Sequence, residues 1–225
     1  MSREIVLDTE TTGLDPEEGH RIVEIGCVEL IDKIKTGKIF HTFINPARYM
    51  PRSAEQIHGI TDVFLKDKPF FKDIVDKFLS FIGDDKLVIH NAAFDMKFVN
   101  YELNLLKLAN IKSTRAIDTL TIAKKRFPGA RVSLDSLCNR FNISIKKREK
   151  HGALLDAELL TEVYQRLTGE TQGIISFSEG FGLGVLKANT KEKAYQVARP
   201  FPTTPEEDAN HENFLKKIKQ PMWNN

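Results

Sequence analysis

The feature that most restricts this chain is the order of its apolar runs. Strand-like runs fall at about 4–9, 21–32 and 37–45, the second reading RIVEIGCVELID with partial alternation, and the connection between the last two is short. A short helix or turn, AEQIHGI, follows Pro51. From residue 70 onward helical and strand patterns take turns. An amphipathic helix over about 70–82 places Phe71, Ile74, Val75, Phe78 and Leu79 at helical spacing, and LVIH at 87–90 reads as a strand. A helix over about 93–108 follows, then a short strand near 115–118 and helices near 119–127, 134–141 and 152–168. Ser133 is a suitable N-cap with Asp135 near the positive end of its helix, and Gly169 is a normal C′ residue for the last helix. Three neighbouring strands followed by alternation predict an α/β fold, a mixed sheet with helices on its faces.

The first apolar run, Ile5-Val6-Leu7, leads into DTETTG. Residues i and i+2 of a strand project from one face, so Asp8 and Glu10 can serve one site. Two further acids sit in equally apolar surroundings: Asp95 in HNAAFD and Asp156 in HGALLD. Any one of them alone reads as a solvated strand end, cap or turn residue. Gathered together, like charges ~4 Å apart at an effective dielectric of ~20 repel by ~4 kcal/mol per pair, which protonation or a cation must relieve. Carboxylates without accompanying cysteines suit hard cations, Mg²⁺ or Mn²⁺ rather than zinc. Two such ions would stand ~3.5–4 Å apart, with Asp8 able to bridge them and Glu10, Asp95 and Asp156 completing the shells. Which acid binds which ion stays open.

His151 is the candidate general base, since an imidazole pKa near ~6.5 lets it take a proton from water at neutral pH. On one continuous helix, i and i+5 lie ~140° apart, so His151 and Asp156 share a site only if His151 lies in the loop before the helix. That loop, KKREKHG, is basic and reads as a mobile connection. Thr11 and Thr12, with Gly13, could hold a terminal nucleotide, and His58, His90 and Phe94 are candidates for stacking or phosphate contact. Each of these alone fits a packing role equally well. Asn91 reads as a hydrogen-bonded turn residue.

Composition narrows the partners. Lys and Arg number 33 against 31 Asp and Glu, a net charge of +2, which excludes a general polyanion binder and makes any nucleic-acid contact local. Cys27 and Cys138 are too few for a disulfide framework in 225 residues and read as buried thiols. No leader pattern and no run of ~18 apolar residues is present, so a cytoplasmic protein without membrane contact is expected. Beyond Gly169 the texture changes: Gly173, Gly180, Gly182, Gly184 and a polar stretch at 187–196 read as a mobile linker. Thr204-Pro205-Glu206-Glu207 then matches a capping box with proline at N1, and Phe214, Leu215 and Ile218 recur at helical spacing. A short amphipathic helix there would dock on a partner or fold back on its own domain. The expected layout is a catalytic domain over 1–170, a linker over 171–203 and a docking segment over 204–225.

In this order and at these separations, DTETTG, IHNAAFD and HGALLDA resemble the three motifs of the DEDDh group of 3′–5′ exonucleases, and within it the epsilon proofreading subunits of bacterial DNA polymerase III. The likeness covers about residues 3–169, including SLDSLC and the IHGIT segment. It implies a ribonuclease-H-like exonuclease fold, a five-stranded mixed sheet whose second strand runs antiparallel, and release of 5′-mononucleotides from mispaired primer 3′ ends of DNA. It further implies two divalent cations on Asp8, Glu10, Asp95 and Asp156, a general base at His151, and nucleotide contacts near His58 and His90. A further family contact falls on Ser53, a position that is acidic in the best-known relative. In the tail, Gln172-Gly173-Ile174-Ile175-Ser176-Phe177 is similar to sliding-clamp-binding peptides, with Gln172, Ile175 and Phe177 as its anchors. The resemblance also implies docking of about 204–223 on the polymerase III alpha (catalytic) subunit through Phe214, Leu215 and Trp223, and a small accessory subunit as a further partner. Two rival readings are an exonuclease acting on RNA ends and a non-catalytic replisome scaffold. The clamp-like peptide argues against the first, and the complete set of five active-site residues against the second.

Overall fold

The computed structural model describes residues 1–145, 150–169 and 203–216. The chain divides into two units, Met1–Ser176 and Phe177–Asn225. In the first, strands β1 (Arg3–Thr11), β2 (Ile22–Ile31), β3 (Ile34–Phe43), β4 (Lys86–Ile89) and β5 (Ala116–Asp118) form one sheet in the order β3-β2-β1-β4-β5. β2 runs antiparallel to both β1 and β3, while β4 runs parallel to both β1 and β5. This is the mixed sheet with an antiparallel second strand that the motifs imply.

Helices α1 (Arg52–His58), α2 (Asp62–Leu65) and α3 (Phe71–Ile82) lie between β3 and β4, and α4 (Ala92–Leu105) lies between β4 and β5. After β5 come α5 (Thr119–Arg126), α6 (Leu134–Arg140) and α7 (Ala153–Leu167). Because strand side chains alternate, β1 feeds two cores at once. Ile5 and Leu7 enter the core with Phe71, Ile74, Val75, Phe78 and Ile82 of α3 and with Phe98 and Val99 of α4. Val6 enters the opposite core with Val28, Val88 and the Ala157, Leu160 and Tyr164 face of α7. The α3 stripe buries five apolar side chains, each stabilising by about 1.5–3 kcal/mol in gross terms. A sheet buried on both sides is rigid, and its free end is where a site can be built.

Caps set the helix boundaries. The Ser133 hydroxyl accepts from the Ser136 N–H at the start of α6, and Asp118 caps α5 by accepting from the Leu120 N–H. Gly169, in the left-handed region at φ +83°, follows the end of α7. One boundary departs from the expected pattern: β3 begins at Ile34 rather than near 37. The β2–β3 turn is only Asp32-Lys33, both with positive φ (47° and 65°), the twist a two-residue hairpin requires. Neither residue is glycine or asparagine, so the turn carries no sequence signal. Asp32 anchors it by accepting the Ser2 N–H at 2.7 Å.

In the second unit, α8 (Pro205–Leu215) carries the expected capping box, with the Thr204 hydroxyl accepting from the Glu207 N–H and the Glu207 carboxylate accepting from the Thr204 N–H. No residue of α8 is buried, and Phe214 and Leu215 stand together in its last turn. Ile218 and Trp223 lie outside the described residues, as do Gln172, Ile175 and Phe177. No helix among the described residues is long and apolar enough to cross a membrane.

Candidate active site

β1 delivers the first two acids. Its Ile5–Leu7 stretch is buried, whereas Asp8 and Glu10 are half-exposed on the face that α7 covers. A register irregularity between Glu10 and Thr11 ends the regular pairing with β2 immediately after them. Asp8 pairs with Gly26, and Glu10 with Glu24. The glycine is needed for close approach: a Cβ on Gly26 would stand 2.3 Å from the Leu154 nitrogen and 2.4 Å from the Ala153 carbonyl carbon. The first turn of α7 therefore rests directly on β2 beside Asp8.

That seating brings the third motif to the first. Gly152 is the N-cap of α7, Asp156 lies buried in its first turn, and His151 stands just before the helix with 47% of its side chain exposed. The loop position expected for His151 is observed, and the bend at Gly152 lets Nδ1 approach Asp156 Oδ2 at 3.3 Å. Glu10, His151 and Asp156 each place one ligand atom so that all lie within 4.8 Å of one another. Residues 146–149 of the basic loop lie outside the described residues. Its end is held to α1, since the His151 N–H donates to the Ile57 carbonyl at 3.3 Å and the Lys150 side chain lies over Gly59.

Asp95 arrives from the other side of β1. Between the two strand acids, Thr9 faces the α4 core and donates from both its N–H and its hydroxyl to Asp95 Oδ1, at 3.0 and 2.7 Å. Burial pushes the Asp95 carboxyl up to about 7, more than the Thr9 hydrogen bonds lower it. It needs a proton or a cation at neutral pH. The start of α4 is fixed by Asp118, whose Oδ1 accepts from the N–H groups of Asn91 (3.0 Å) and Ala92 (3.4 Å) as well as Leu120 (3.0 Å). Burial would raise the Asp118 pKa, but the Thr121 hydroxyl and these N–H groups outweigh it and hold it below the ordinary carboxylate value. Asn91 is a turn residue at φ +66°, as read from the sequence.

Beside the acids lies a cavity of about 280 Å³ lined by Glu10, Thr11, Leu14, Ser53, Ile57, His58 and Phe94, among others. His58 Nδ1 accepts the Ile60 N–H at 3.0 Å, which puts the ring proton on Nε2. Burial lowers the His58 pKa, with Lys150 and His151 pushing the same way against the Thr11 backbone and Glu55. At neutral pH the ring is thus uncharged and a donor. Ser53 lines the cavity as well. Thr11 lines it too, its hydroxyl donating to the Gly13 carbonyl at 2.6 Å.

Two further candidate contacts, Thr12 and His90, are not among the residues lining this cavity. Thr12 is fully buried, and its hydroxyl accepts the Arg21 N–H at 3.0 Å and meets His20 Nδ1 at 3.1 Å. His90 does not line the cavity. Its Nδ1 lies 2.9 Å from the Thr119 hydroxyl, and burial lowers its pKa. The motifs gave no warning of Thr9, Gly26 or Asp118, whose roles follow only from which helix lies on which strand. In the tail, Phe214 is 61% exposed.

The donor set fits hard divalent cations: carboxylate oxygens with one imidazole and no thiol among them. The nearby Cys27 is buried and its thiol is pushed up by burial and by Asp8, so it stays protonated and is no ligand.

Comparison with known proteins agrees with this geometry. A family model described as exonuclease matches residues 5–164. The DNA polymerase III subunit epsilon of Rickettsia felis is 52% identical over 224 residues, covering 96% of each chain, and that of Salmonella typhimurium is 48% identical over 187 residues, covering 80% of this chain and 77% of the other. Among solved structures, exonuclease X in complex with 5′ overhanging duplex DNA superposes with a TM-score of 0.60 at 25% identity over 75% of this chain and 92% of its own. The nuclease domain of 3′hExo, a DEDDh family member bound to rAMP, gives 0.65 at 17% identity over 76% and 93%.

Proposed function

This chain belongs to the epsilon subunits of bacterial DNA polymerase III, 3′–5′ exonucleases of the DEDDh group, and from that premise we propose that it trims mispaired primer 3′ ends with His151 as general base. The observation that carries the reading is the convergence of Glu10, His151 and Asp156 within 4.8 Å from a strand end, a loop and a helix start. Asp8, Glu10, Asp95 and Asp156 would hold two divalent cations, Mg²⁺ or Mn²⁺. When bound, these ions lower the pKa of water and offset charge on the scissile phosphate.

With His151 Nδ1 turned toward Asp156, Nε2 is the atom that accepts the proton of the attacking water. The water oxygen bonds to phosphorus as the bond to the preceding 3′ oxygen breaks. A 5′-mononucleotide leaves, and the shortened primer keeps a 3′-hydroxyl protonated from solvent. The cavity takes the terminal nucleotide, with Thr11, Ser53 and His58 on its wall and His58 offering Nε2–H. Thr12 and His90 are further candidate contacts for the nucleotide. Asp8, Glu10 and Asp156 face the scissile phosphate.

None of these groups reads base identity. Selection arises because a primer end must unpair to reach the cavity, and a mismatched end has already lost part of the few kcal/mol that resist this. Proofreading therefore needs proximity, which the tail supplies. Gln172, Ile175 and Phe177 would engage the sliding clamp, residues 204–225 the polymerase alpha subunit, and a small accessory subunit could bind as well. Such tethering raises the local concentration of primer ends without any new DNA contact. A replisome component of this kind works in the cytoplasm.

End-labelled DNA primers, paired and mismatched, and matching RNA primers test the reading with Mg²⁺, Mn²⁺ or chelator. We expect stepwise shortening of DNA from the 3′ end, faster for mismatches, none with chelator, and none by the Asp8→Ala, Glu10→Ala double variant. Full activity of that variant, or faster trimming of RNA than DNA, overturns the assignment.

A further inference from the structure

A fifth carboxylate is buried beside the site, and the chemistry proposed above does not use it. Glu24 of β2 is the register partner of Glu10 and is 4% exposed. Directly opposed residues of an antiparallel pair share a face with Cβ atoms about 4.5–5.5 Å apart, so two acids face each other where β1 delivers its ligands. Glu24 Oε1 lies 2.7 Å from His41 Nε2 on the neighbouring strand β3. Its other oxygen, Oε2, lies 4.0 Å from where a Cβ of Gly152 would stand. Gly152 is the residue between His151 and α7, and it offers the helix start no side-chain cap. Glu24 thus sits against both halves of the site, the strand that brings Glu10 and the turn that brings His151 and Asp156 together.

A packing role would be served equally by glutamine, which has the same shape and still accepts from His41. What the carboxylate adds is negative potential next to Glu10, unfavourable while the site is empty of cations and favourable once they bind. We propose that Glu24, held by His41, is a positioning residue that seats the backbone at Gly152 and strengthens divalent-cation binding at Glu10 and Asp156. The inference rests on the cation reading of the site and on no titration of its groups. Outer groups hydrogen-bonded to metal ligands alter metal affinity by about 10- to 100-fold when replaced; Glu24 acts through its charge and its packing on Gly152, so the lower end of that range is expected.

The test is Mn²⁺ binding to the full chain without DNA, followed by the electron paramagnetic resonance of free Mn²⁺, for wild type, Glu24→Gln and His41→Gln. Melting is measured in parallel with EDTA. Glu24→Gln is expected to weaken Mn²⁺ binding about tenfold while leaving the EDTA melting temperature unchanged or higher, because a buried like charge has been removed. His41→Gln, at a partly exposed position, is expected to fold and to weaken binding less, since the carboxylate remains. Mn²⁺ affinities of both variants within twofold of wild type overturn the proposal, as does a lower EDTA melting temperature with unchanged affinity, which is what a purely structural residue gives. A wild type with no saturable Mn²⁺ binding removes the cation site itself, and this inference with it.

Discussion

Asp95 combines burial with a carboxyl pushed up to about 7, and that combination predicts how the metal-free protein responds to pH. A carboxyl raised from its ordinary value near 3.8 binds its proton more tightly in the folded chain than in the unfolded one. The resulting stability is fully present below about pH 4 and is lost as pH rises through about 7, a change on the order of a few kcal/mol. Asp95→Asn keeps an oxygen for the two Thr9 donors and removes the titration. In EDTA, the melting temperature of wild type is expected to fall between pH 4 and 7.5 relative to Asp95→Asn, and saturating Mg²⁺ should abolish that fall. Parallel curves in EDTA would mean that burial does not perturb this group. The acid itself was legible in the sequence, because HNAAFD sets a carboxylate among apolar neighbours. Its partner Thr9 was not, since a threonine inside DTETTG looks no different from Thr11 or Thr12 until the strand's two faces are assigned. Nor could the motif foretell that the Thr12 hydroxyl meets the Arg21 N–H and His20. Glu24 was hidden within an alternating strand pattern, and only the register with Glu10 gives it a role.

Among elements, the contact between α7 and β2 sets the geometry of the site. Any side chain at Gly26 would collide with the backbone of Ala153 and Leu154, and no flexible end is available to give way. Gly26→Ala should therefore lift the first turn of α7 by about an ångström, moving Asp156 and the adjoining His151 together away from Glu10. Overpacking of this kind costs about 1–3 kcal/mol, and an ångström of misplacement in a catalytic group costs about 100-fold in rate. Circular dichroism should report an intact fold, a lower melting temperature and kcat reduced by roughly two orders of magnitude. A variant with wild-type kcat would show that the helix start can shift without cost to the site. Element order and most boundaries were readable because core-facing periodicity is strong in α3 and in the Ile5–Leu7 run. The i, i+5 separation even required a break before α7, which Gly152 supplies. The close packing at Gly26 was not readable, because a glycine within a strand pattern signals weakness and says nothing of what will lie on it.

For the whole molecule, the chain divides at Ser176 and Phe177 into two units, and the proposed function assigns catalysis to the first and recruitment to the second. Among the described residues, the four apolar cores of the first unit are built from residues up to Leu167. Helix α8 is polar along its length, with Glu206, Glu207 and Asp208 at its positive end, and it holds its exposed Phe214 in the final turn. Such a helix gains little by lying flat on a surface. Under the proposed function, Phe214 and Leu215 in its last turn would be what enters a pocket on the polymerase alpha subunit. Capping box and proline made the helix start legible, whereas the periodicity of Phe214, Leu215 and Ile218 runs past the described residues. Deletion of residues 200–225 is therefore expected to leave kcat/KM on free single-stranded oligonucleotides within about twofold of the full chain, and to abolish co-purification with the polymerase alpha subunit. Phe214→Ala with Leu215→Ala should weaken that association without unfolding anything, since neither side chain is buried. On a primer held by polymerase and clamp, the truncated chain should lose most of its mismatch removal, because an untethered nuclease at cellular concentration faces far fewer primer ends than a linked one, whose effective concentration is on the order of millimolar. Co-purification that survives the truncation would move the tether into the first unit and leave α8 without the role argued for it.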